Sequence, residues 1–338
     1  MANLYEALSK LDKKYNPAKR REGWKAISTG SIVIDYISGV GGFPIGGINE
    51  LAGEEATGKT TLCMQAIRNA QRKFPNKKVL VIDSENTWNL SYAEVLGVDT
   101  SKDNLLFYQE MSIEGAQEIT QELVRTGEIS LFVLDSVANL HPMLAITDPE
   151  EAYKQKGLHA RLFAPWFGNL SGDCNNFNTC CIAVNQFRAK LDFKGYGAGS
   201  SIQTAGGNAL KYYKVTSLWL EPSTSEFEEV ESDVSLDLQK EAQRIHIRGQ
   251  FKKNKAAAPF KKGKYVIEFG KGIDNTFTLI EVAIKRNVIE KAGQFFTMPG
   301  GDKIRGEAKM KATVYGNKEL QLTIAKTLGW LNYENYQV

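Results

Sequence analysis

The chain has 338 residues, 42% of them hydrophobic and 24% charged, with 42 Lys and Arg against 39 Asp and Glu for a net charge of +3. That length can bury one large core and a smaller one, and so small a net charge identifies no partner by itself. No apolar run approaches the roughly eighteen residues that a membrane span needs, and residues 1–23 lack the apolar stretch of a signal peptide, so no membrane partner and a cytoplasmic location are expected.

Residues 1–25 open with a short amphipathic segment (Leu4, Ala7, Leu8, Leu11) and pass into Lys13, Lys14, Lys19, Arg20 and Arg21 around Pro17. They read either as a solvated basic arm or as a helix packed on a neighbouring subunit. From Ser28, glycines at 30, 39, 41, 42, 46 and 47 punctuate short apolar runs, the mark of turns leading into a core. Residues 48–52 then read as a short apolar strand. It delivers Gly53-Glu54-Glu55-Ala56-Thr57-Gly58-Lys59-Thr60-Thr61, which satisfies the pattern G-x-x-x-x-G-K-[ST] at every fixed position. The glycines let successive backbone N–H groups curl toward phosphate oxygens, Lys59 supplies a cation to the β- and γ-phosphates, and the Thr60 hydroxyl can hold Mg²⁺. Leu62, Cys63, Ala66, Ile67 and Ala70 continue as a helical stripe, so the phosphates meet a helix N-terminus and ATP is the expected ligand.

Residues 79–83 form a continuous apolar run ending in Asp83, with Glu85 two residues on, and residues 131–135 repeat the design with Asp135 at the end. Apolar runs of this kind are central parallel strands whose carboxyl ends carry the functional groups. Another strand is expected at 104–109, with a helix lined by Ala116, Ile119 and Leu123 after it, and strand–helix alternation predicts a parallel sheet. Asp135 is the expected partner of Thr60 in holding Mg²⁺, and Glu85 is free to polarise the attacking water. A polar stretch follows at 147–157, then a helix with Leu158, Leu162, Phe163, Trp166 and Phe167 on one face, most simply as core. Residues 180–186 read as a further buried strand that brings Asn185 and Gln186 to the same edge, where Gln186 could sense the γ-phosphate. The four cysteines (Cys63, Cys174, Cys180, Cys181) show no metal-type pair and read as buried reduced thiols.

Residues 187–207 hold seven Gly or Ser with Arg188, Lys190, Phe193, Lys194 and Tyr196, a composition that predicts a long mobile loop rather than a packed element. Basic and aromatic side chains together suit a sugar-phosphate backbone and stacked bases, whereas a plain flexible lid is the simpler alternative. A strand is expected at 215–220. Residues 221–241 carry eight acids against Lys240 alone and read as a solvated insertion. A strand at 245–249 precedes Lys252, Lys253, Lys255, Lys261, Lys262 and Lys264, a run without an acid that asks for phosphate, and 265–269 closes the main unit. From about Ile273 a small second unit is expected, with a helix bearing Leu279, Val282, Ala283, Val288 and Ile289, turns around Pro299-Gly300-Gly301 and a last helix near Leu320, Ile324 and Leu328.

These residues resemble the bacterial RecA recombinase family from about Ile27 to Leu331. The resemblance rests on Ser28-Thr29-Gly30-Ser31, the phosphate loop, Asp83-Ser84-Glu85, Leu134-Asp135-Ser136-Val137-Ala138, Asn185-Gln186, Gly206-Gly207-Asn208-Ala209-Leu210, and Lys253-Asn254-Lys255 with Ala257-Ala258-Pro259-Phe260. It implies an α/β fold of the RecA type, a P-loop ATPase core at 27–272 with a mainly parallel sheet flanked by helices. A short helical arm at 1–26 for oligomerisation and a small α+β domain at 273–338 complete it. It also implies a DNA-dependent ATPase whose subunits form a helical filament on single-stranded DNA, with ATP between neighbours, and pair that strand with homologous double-stranded DNA. Carried over by position, Lys59, Glu85, Asp135, Gln186, Lys253 and Lys255 form the catalytic set. Glu85 is the water-activating base, Tyr92 the adenine stacker, Gln186 the γ-phosphate sensor, and Lys253 and Lys255 reach the ATP of the adjacent subunit. The DNA loop spans 188–207, with Arg161, Gly206, Gly207 and Asn208 as further contacts. Departures are a DNA loop a few residues longer, a helix after Arg161 about one turn shorter, Asn89 where an acid is usual, a longer acidic insertion, and no acidic tail, which removes an expected brake on DNA access. The short termini would suit a phage-encoded form. Two alternatives compete. A hexameric helicase motor on the same core would need a larger N-terminal region, and a mediator that binds ATP without hydrolysing it would not need Glu85.

Overall fold

The computed structural model describes residues 23–189, 202–223, 228–229, 242–330 and 333–336. In chain order come α1 (Ile32–Ser38), β1 (Gly47–Gly53), α2 (Lys59–Lys73), β2 (Lys78–Asp83), α3 (Leu90–Val95), β3 (Leu105–Gln109), α4 (Ile113–Arg125), β4 (Ile129–Asp135), α5 (Leu158–Phe177) and β5 (Cys180–Ala189). They are followed by α6 (Gly207–Tyr213), β6 (Lys214–Pro222), β7 (Ala242–Asn254), β8 (Lys262–Glu268) and β9 (Gly272–Ile273). The strands lie side by side in the order β9-β8-β7-β6-β1-β5-β4-β2-β3. From β6 to β3 every pairing is parallel, whereas β7, β8 and β9 join antiparallel to one another and to β6.

Strands that are apolar at every position need cover on both faces, and this sheet has it. Leu51, Val79, Val81, Leu131, Val133, Ile182 and Val184 face one layer, where α2 adds Leu62, Cys63, Ala66, Ile67 and Ala70. Their neighbours along the strands, Ile48, Leu80, Ile82, Phe132, Leu134, Cys181 and Ala183, face the other, closed by Ile113 and Ala116 of α4 and Phe163, Trp166, Phe167 and Leu170 of α5. Each such side chain, once fully buried, contributes roughly 1.5–3 kcal/mol. The four cysteines are free thiols buried in these layers, as expected.

A third core gathers Leu279, Ile280 and Ala283 of α7 (Asn275–Lys285) with Phe296, Met298, Met310, Val314, Ile324 and Ala325. It lies among a three-stranded antiparallel sheet (Glu290–Ala292, Phe295–Thr297, Lys303–Arg305), α8 (Glu307–Tyr315) and α9 (Lys318–Thr327). Ile32 of α1 belongs to this core. Asn275 fastens it there by donating to the Gly30 carbonyl at 2.8 Å and accepting from Ile32 N at 3.0 Å, and the Tyr336 hydroxyl donates to Asp35 at 2.8 Å.

Several expectations are corrected. The stretch 147–157 is not simply polar connection, because Met143–Thr147 and Pro149–Lys154 are short helices, the second capped by the Asp148 side chain. The strand expected at 245–249 extends through Asn254, so Lys252 and Lys253 lie within β7. The helix of the second unit stops at Lys285; Val288 and Ile289 follow it in a turn, where Ile289 is still buried. The segment 187–207 is partly packed, since Ile202–Thr204 pairs antiparallel with Phe187–Ala189 and α6 starts at Gly207. Residues 190–201, the arm at 1–22 and most of the acidic stretch, 224–227 and 230–241, lie outside the described residues. Among the described residues no helix is long and apolar enough to cross a membrane.

The expected apolar run at 48–52 is the instructive correction, because Asn49 and Glu50 stand inside it and both are 0% exposed. Glu50 accepts from Asn185 Nδ2 at 3.3 Å, from Thr204 Oγ1 at 2.8 Å and from the Ser217 hydroxyl, and it pairs with the Lys214 ammonium. A buried charge is tolerated only when so satisfied, and removing one member strands the other. Glu50→Gln should therefore lower the unfolding free energy by about 3–5 kcal/mol, read from urea denaturation of the nucleotide-free protein. A parental midpoint would mean that this network does not hold the sheet together.

Candidate active site

Because the parallel strands share a direction, their carboxyl ends form one edge, and the register sets what meets there. Gly53 ends β1 opposite Gln186 on β5, and Asp83 ends β2 opposite Asp135 on β4. Beyond Gly53 the chain turns through Ala56 (φ 57°) and Gly58 (φ 73°), both left-handed, before α2 begins at Lys59. Position 58 favours glycine. Its φ disfavours a Cβ, and a Cβ would overlap Ile267 Cδ1 of β8. The Thr57 hydroxyl locks the turn by donating to Glu54 O at 2.8 Å. Lys59 folds back over it, its ammonium 3.2 Å from Gly53 O and 2.6 Å from Glu54 O. Burial pushes the Lys59 pKa down, an effect opposed by the charges of Asp135 and Glu85.

Thr60 Oγ1 donates to Asp135 Oδ2 at 3.0 Å, so the phosphate loop and β4 meet as expected. A hydroxyl beside a carboxylate is the oxygen set that a hard divalent cation takes, and Asp135 is only 3% exposed. Burial raises its pKa to about 6, moderated by hydrogen bonds from Thr60 and Trp88. Glu85 lies on the loop after β2, where its Oε1 accepts from Ser136 Oγ at 2.6 Å and from Gln186 Nε2 at 3.0 Å. Both of these bonds go to Oε1. Asp83, by contrast, caps its own loop, accepting from Glu85 N at 3.1 Å and Trp88 N at 3.2 Å. Ser84 and Ser136 exchange hydrogen bonds of 2.8 and 2.9 Å that tie the two strand ends together.

The remaining expected residues are spread more widely. Tyr92 is half-buried on the first turn of α3, packed against the core and held through its backbone N by Asn89 at 3.0 Å. Lys253 and Lys255 are not at this edge. Lys253 pairs with Ser217, which lies level with Glu50, three residues back along β1 from Gly53. Their ammonium groups sit on the C-terminal carbonyls of α6, Lys253 on Lys211 O at 2.7 Å and Lys255 on Tyr212 O at 3.4 Å, where the helix end favours cations. Burial, with Lys255 and Lys214 nearby, lowers the Lys253 pKa to about 8. Arg161 is exposed on the first turn of α5 with Nη2 3.1 Å from Gln155 Oε1. Gly206 (φ 85°) caps α6, and Gly207 and Asn208 stand exposed on its first turn. Arg188 lies in β5, and Lys190, Phe193, Lys194 and Tyr196 lie outside the described residues.

Three contributors escaped the sequence reading. Glu50 was hidden inside a run taken as apolar, although a lone acid amid Ile48, Leu51 and Ala52 is itself a sign of a buried network. Ser136 gave no signal beyond its place after Asp135. Trp88 follows Glu85 by three residues, a spacing that predicts no contact with the next strand.

A family model described as the RecA N-terminal domain matches residues 4–274. The chain is 39% identical over 302 residues to the Protein RecA of Borreliella afzelii (strain PKo), covering 89% of this chain and 78% of that protein. It is 37% identical over 317 residues to the Protein RecA of Borreliella burgdorferi (strain ZS7), with 93% and 82% covered. To the Protein RecA of Wolinella succinogenes it is 35% identical over 333 residues, with 96% and 90% covered.

The loop geometry makes a direct prediction. Gly58→Ala should weaken the binding of a fluorescent ATP analogue about tenfold or more, because strain of about 1–2 kcal/mol and the overlap with Ile267 both reshape the turn. Parental affinity would show that the loop does not hold nucleotide in this conformation.

Proposed function

The chain belongs to the RecA family of DNA recombinases, which are DNA-dependent ATPases, and from that premise we propose which of its residues carry the reaction and how DNA reaches them. The reading rests on one observation, the convergence of Lys59, Thr60, Asp135, Glu85 and Gln186 on a single sheet edge. The loop N–H groups and Lys59 hold the ATP phosphates, with Gly53–Thr61 wrapped around them and Tyr92 under the base. Thr60 and Asp135 hold Mg²⁺, which supplies charge neutralisation at the β- and γ-phosphates. Glu85 orients a water through Oε2 and takes its proton as the oxygen attacks the γ-phosphorus; the bond to the β-γ bridging oxygen breaks and ADP leaves.

Gln186 links this chemistry to DNA. Its amide holds Glu85, and from the next residue its strand becomes the stem that brackets 190–201. We place single-stranded DNA on that segment, through Arg188, Lys190 and Lys194 to phosphates and Phe193 or Tyr196 to bases, with Arg161, Gly206, Gly207 and Asn208 beside it. A displacement of the stem by DNA would move Gln186 and so set the position of the base.

Lys253 and Lys255 act on the ATP of the next subunit. The register supports this, because it sets Lys253 level with Glu50 rather than with the Gly53 that opens the phosphate loop. ATP then joins subunits head to tail, a heterologous contact that builds an open helical filament, which pairs its strand with homologous duplex in the cytoplasm. The division into an arm at 1–26, a core at 27–272 and a C-terminal domain at 273–338 belongs to the same reading, supported by the separate third core. The closed-ring helicase alternative has no support in relatives that match along nine-tenths of the chain.

Glu85→Gln should bind ATP and DNA like the parent while DNA-stimulated turnover falls on the order of 100-fold or more, measured as phosphate release. Turnover at the parental rate would remove Glu85 from the role of base.

The subunit assignment is tested by mixing. A Lys253→Ala/Lys255→Ala protein and a Lys59→Ala protein should each lose turnover, the first by about 10³-fold. Mixed filaments should regain part of it, because an intact phosphate loop in one meets intact lysines in the other. Mixed filaments that form on DNA and stay inactive would mean that the lysines act within their own subunit.

A further inference from the structure

Asp135 Oδ2 accepts two hydrogen bonds, one from the Thr60 hydroxyl at 3.0 Å and one from the indole Nε1 of Trp88 at 2.9 Å. Asp135 Oδ1 accepts from no described residue. The two donors differ in kind. A threonine hydroxyl rotates and can turn to a cation, presenting its lone pairs, whereas an indole N–H only donates and points where its ring points. The Trp88 ring is held in place by packing. It packs against the core beside Phe107, with ring centroids 6.1 Å apart, and its backbone N is held by Asp83 Oδ2 at 3.2 Å. The same Asp83 carboxylate holds Glu85 N at 3.1 Å, so one short loop delivers both the indole and the base.

We infer that Trp88 is a positioning residue for the cation site, its indole N–H fixing one oxygen of Asp135 so that the other is presented to Mg²⁺ or its water. Without the N–H the buried carboxylate loses its rigid donor and is free to rotate about its Cβ–Cγ bond. When the Thr60 hydroxyl turns to the cation, Trp88 becomes the donor that still orients Asp135. Such outer partners of a metal-holding carboxylate commonly account for 10- to 100-fold in metal affinity. In this role Trp88 acts through Asp135, so it sets how much Mg²⁺ is needed rather than the rate once Mg²⁺ is saturating. The inference rests on the proposed role of Asp135.

The test compares the full-length parent with Trp88→Phe, Trp88→Leu, Phe107→Leu and Asp135→Asn. A fluorescent ATP analogue is titrated with Mg²⁺, and binding is read rather than turnover. Both Trp88 variants should raise the Mg²⁺ concentration at half-maximal binding about tenfold, with parental nucleotide affinity at saturating Mg²⁺. Having two replacements keeps the test open if one fails to fold. Phe107→Leu loosens the same packing without touching Asp135, and it should lower thermal stability while leaving the Mg²⁺ midpoint in place. A midpoint unmoved in the Trp88 variants but shifted in Asp135→Asn overturns the inference and leaves the cation site standing. A shift in Phe107→Leu equal to that in Trp88→Phe also overturns it, assigning the effect to packing. If Asp135→Asn does not move the midpoint either, Asp135 is not a cation holder, and both the site and the inference fall.

Discussion

Glu50 is the carboxylate that both halves of the site share. It sits on the strand that ends in the phosphate loop, yet its donors come from elsewhere: Asn185 on β5, Thr204 on the short strand Ile202–Thr204, and Lys214 and Ser217 on β6. In a water-free interior the charge is tolerable only with all of them in place, so their positions are mutually dependent. Asn185 adds a second clamp by exchanging hydrogen bonds of 2.8 and 3.1 Å with the Ala205 backbone. The two ends of the segment between 187 and 205 are thus anchored to the strand that carries the nucleotide site. Movement of one is constrained to be felt by the other.

The parallel sheet does the rest of the assembly. Its carboxyl ends gather groups distant in sequence, and small differences in what lies opposite decide their use. Asp83 and Asp135 close two strands of the same apolar-then-acid design and are neighbours in register. Asp83 has its own loop to cap, and both its oxygens are taken by backbone N–H groups. Asp135 instead faces Thr60 across the phosphate loop. Identical local sequence designs thereby give one carboxylate that caps its own loop and one that meets the phosphate loop, and the cap shapes the loop on which Glu85 and Trp88 ride.

The antiparallel flank supplies the polarity of assembly. After β6 the chain returns through β7 and β8, and β8 lays Ile267 over the glycine that opens α2. The return leaves the lysine-rich end of β7 away from its own phosphate loop, on the C-terminus of α6. In the proposed filament this separation is what prevents a subunit from completing its own site and makes each one depend on its neighbour. The C-terminal unit is fastened to Gly30, Ile32 and Asp35.

The amino-acid sequence by itself determined the family and its ATPase chemistry, and it placed the candidate groups at strand ends. The phosphate loop, the two apolar-then-acid strands, Glu85 and Gln186 were legible because each depends on residue type at short spacing, and the helical faces on α2 and α5 were legible because burial imposes a period. Where contacts run between strands, only the tertiary structure could decide. That Gln186 holds Glu85 across 101 positions and that Trp88 reaches Asp135 across 47 both follow from strand order and register. Glu50 shows the limit most clearly. Read locally, it interrupts an apolar strand, and its burial makes sense only once donors up to 167 residues away are brought to it by the sheet. A spacing pattern reports what a residue can do; the partners that make a buried charge stable are supplied by the fold.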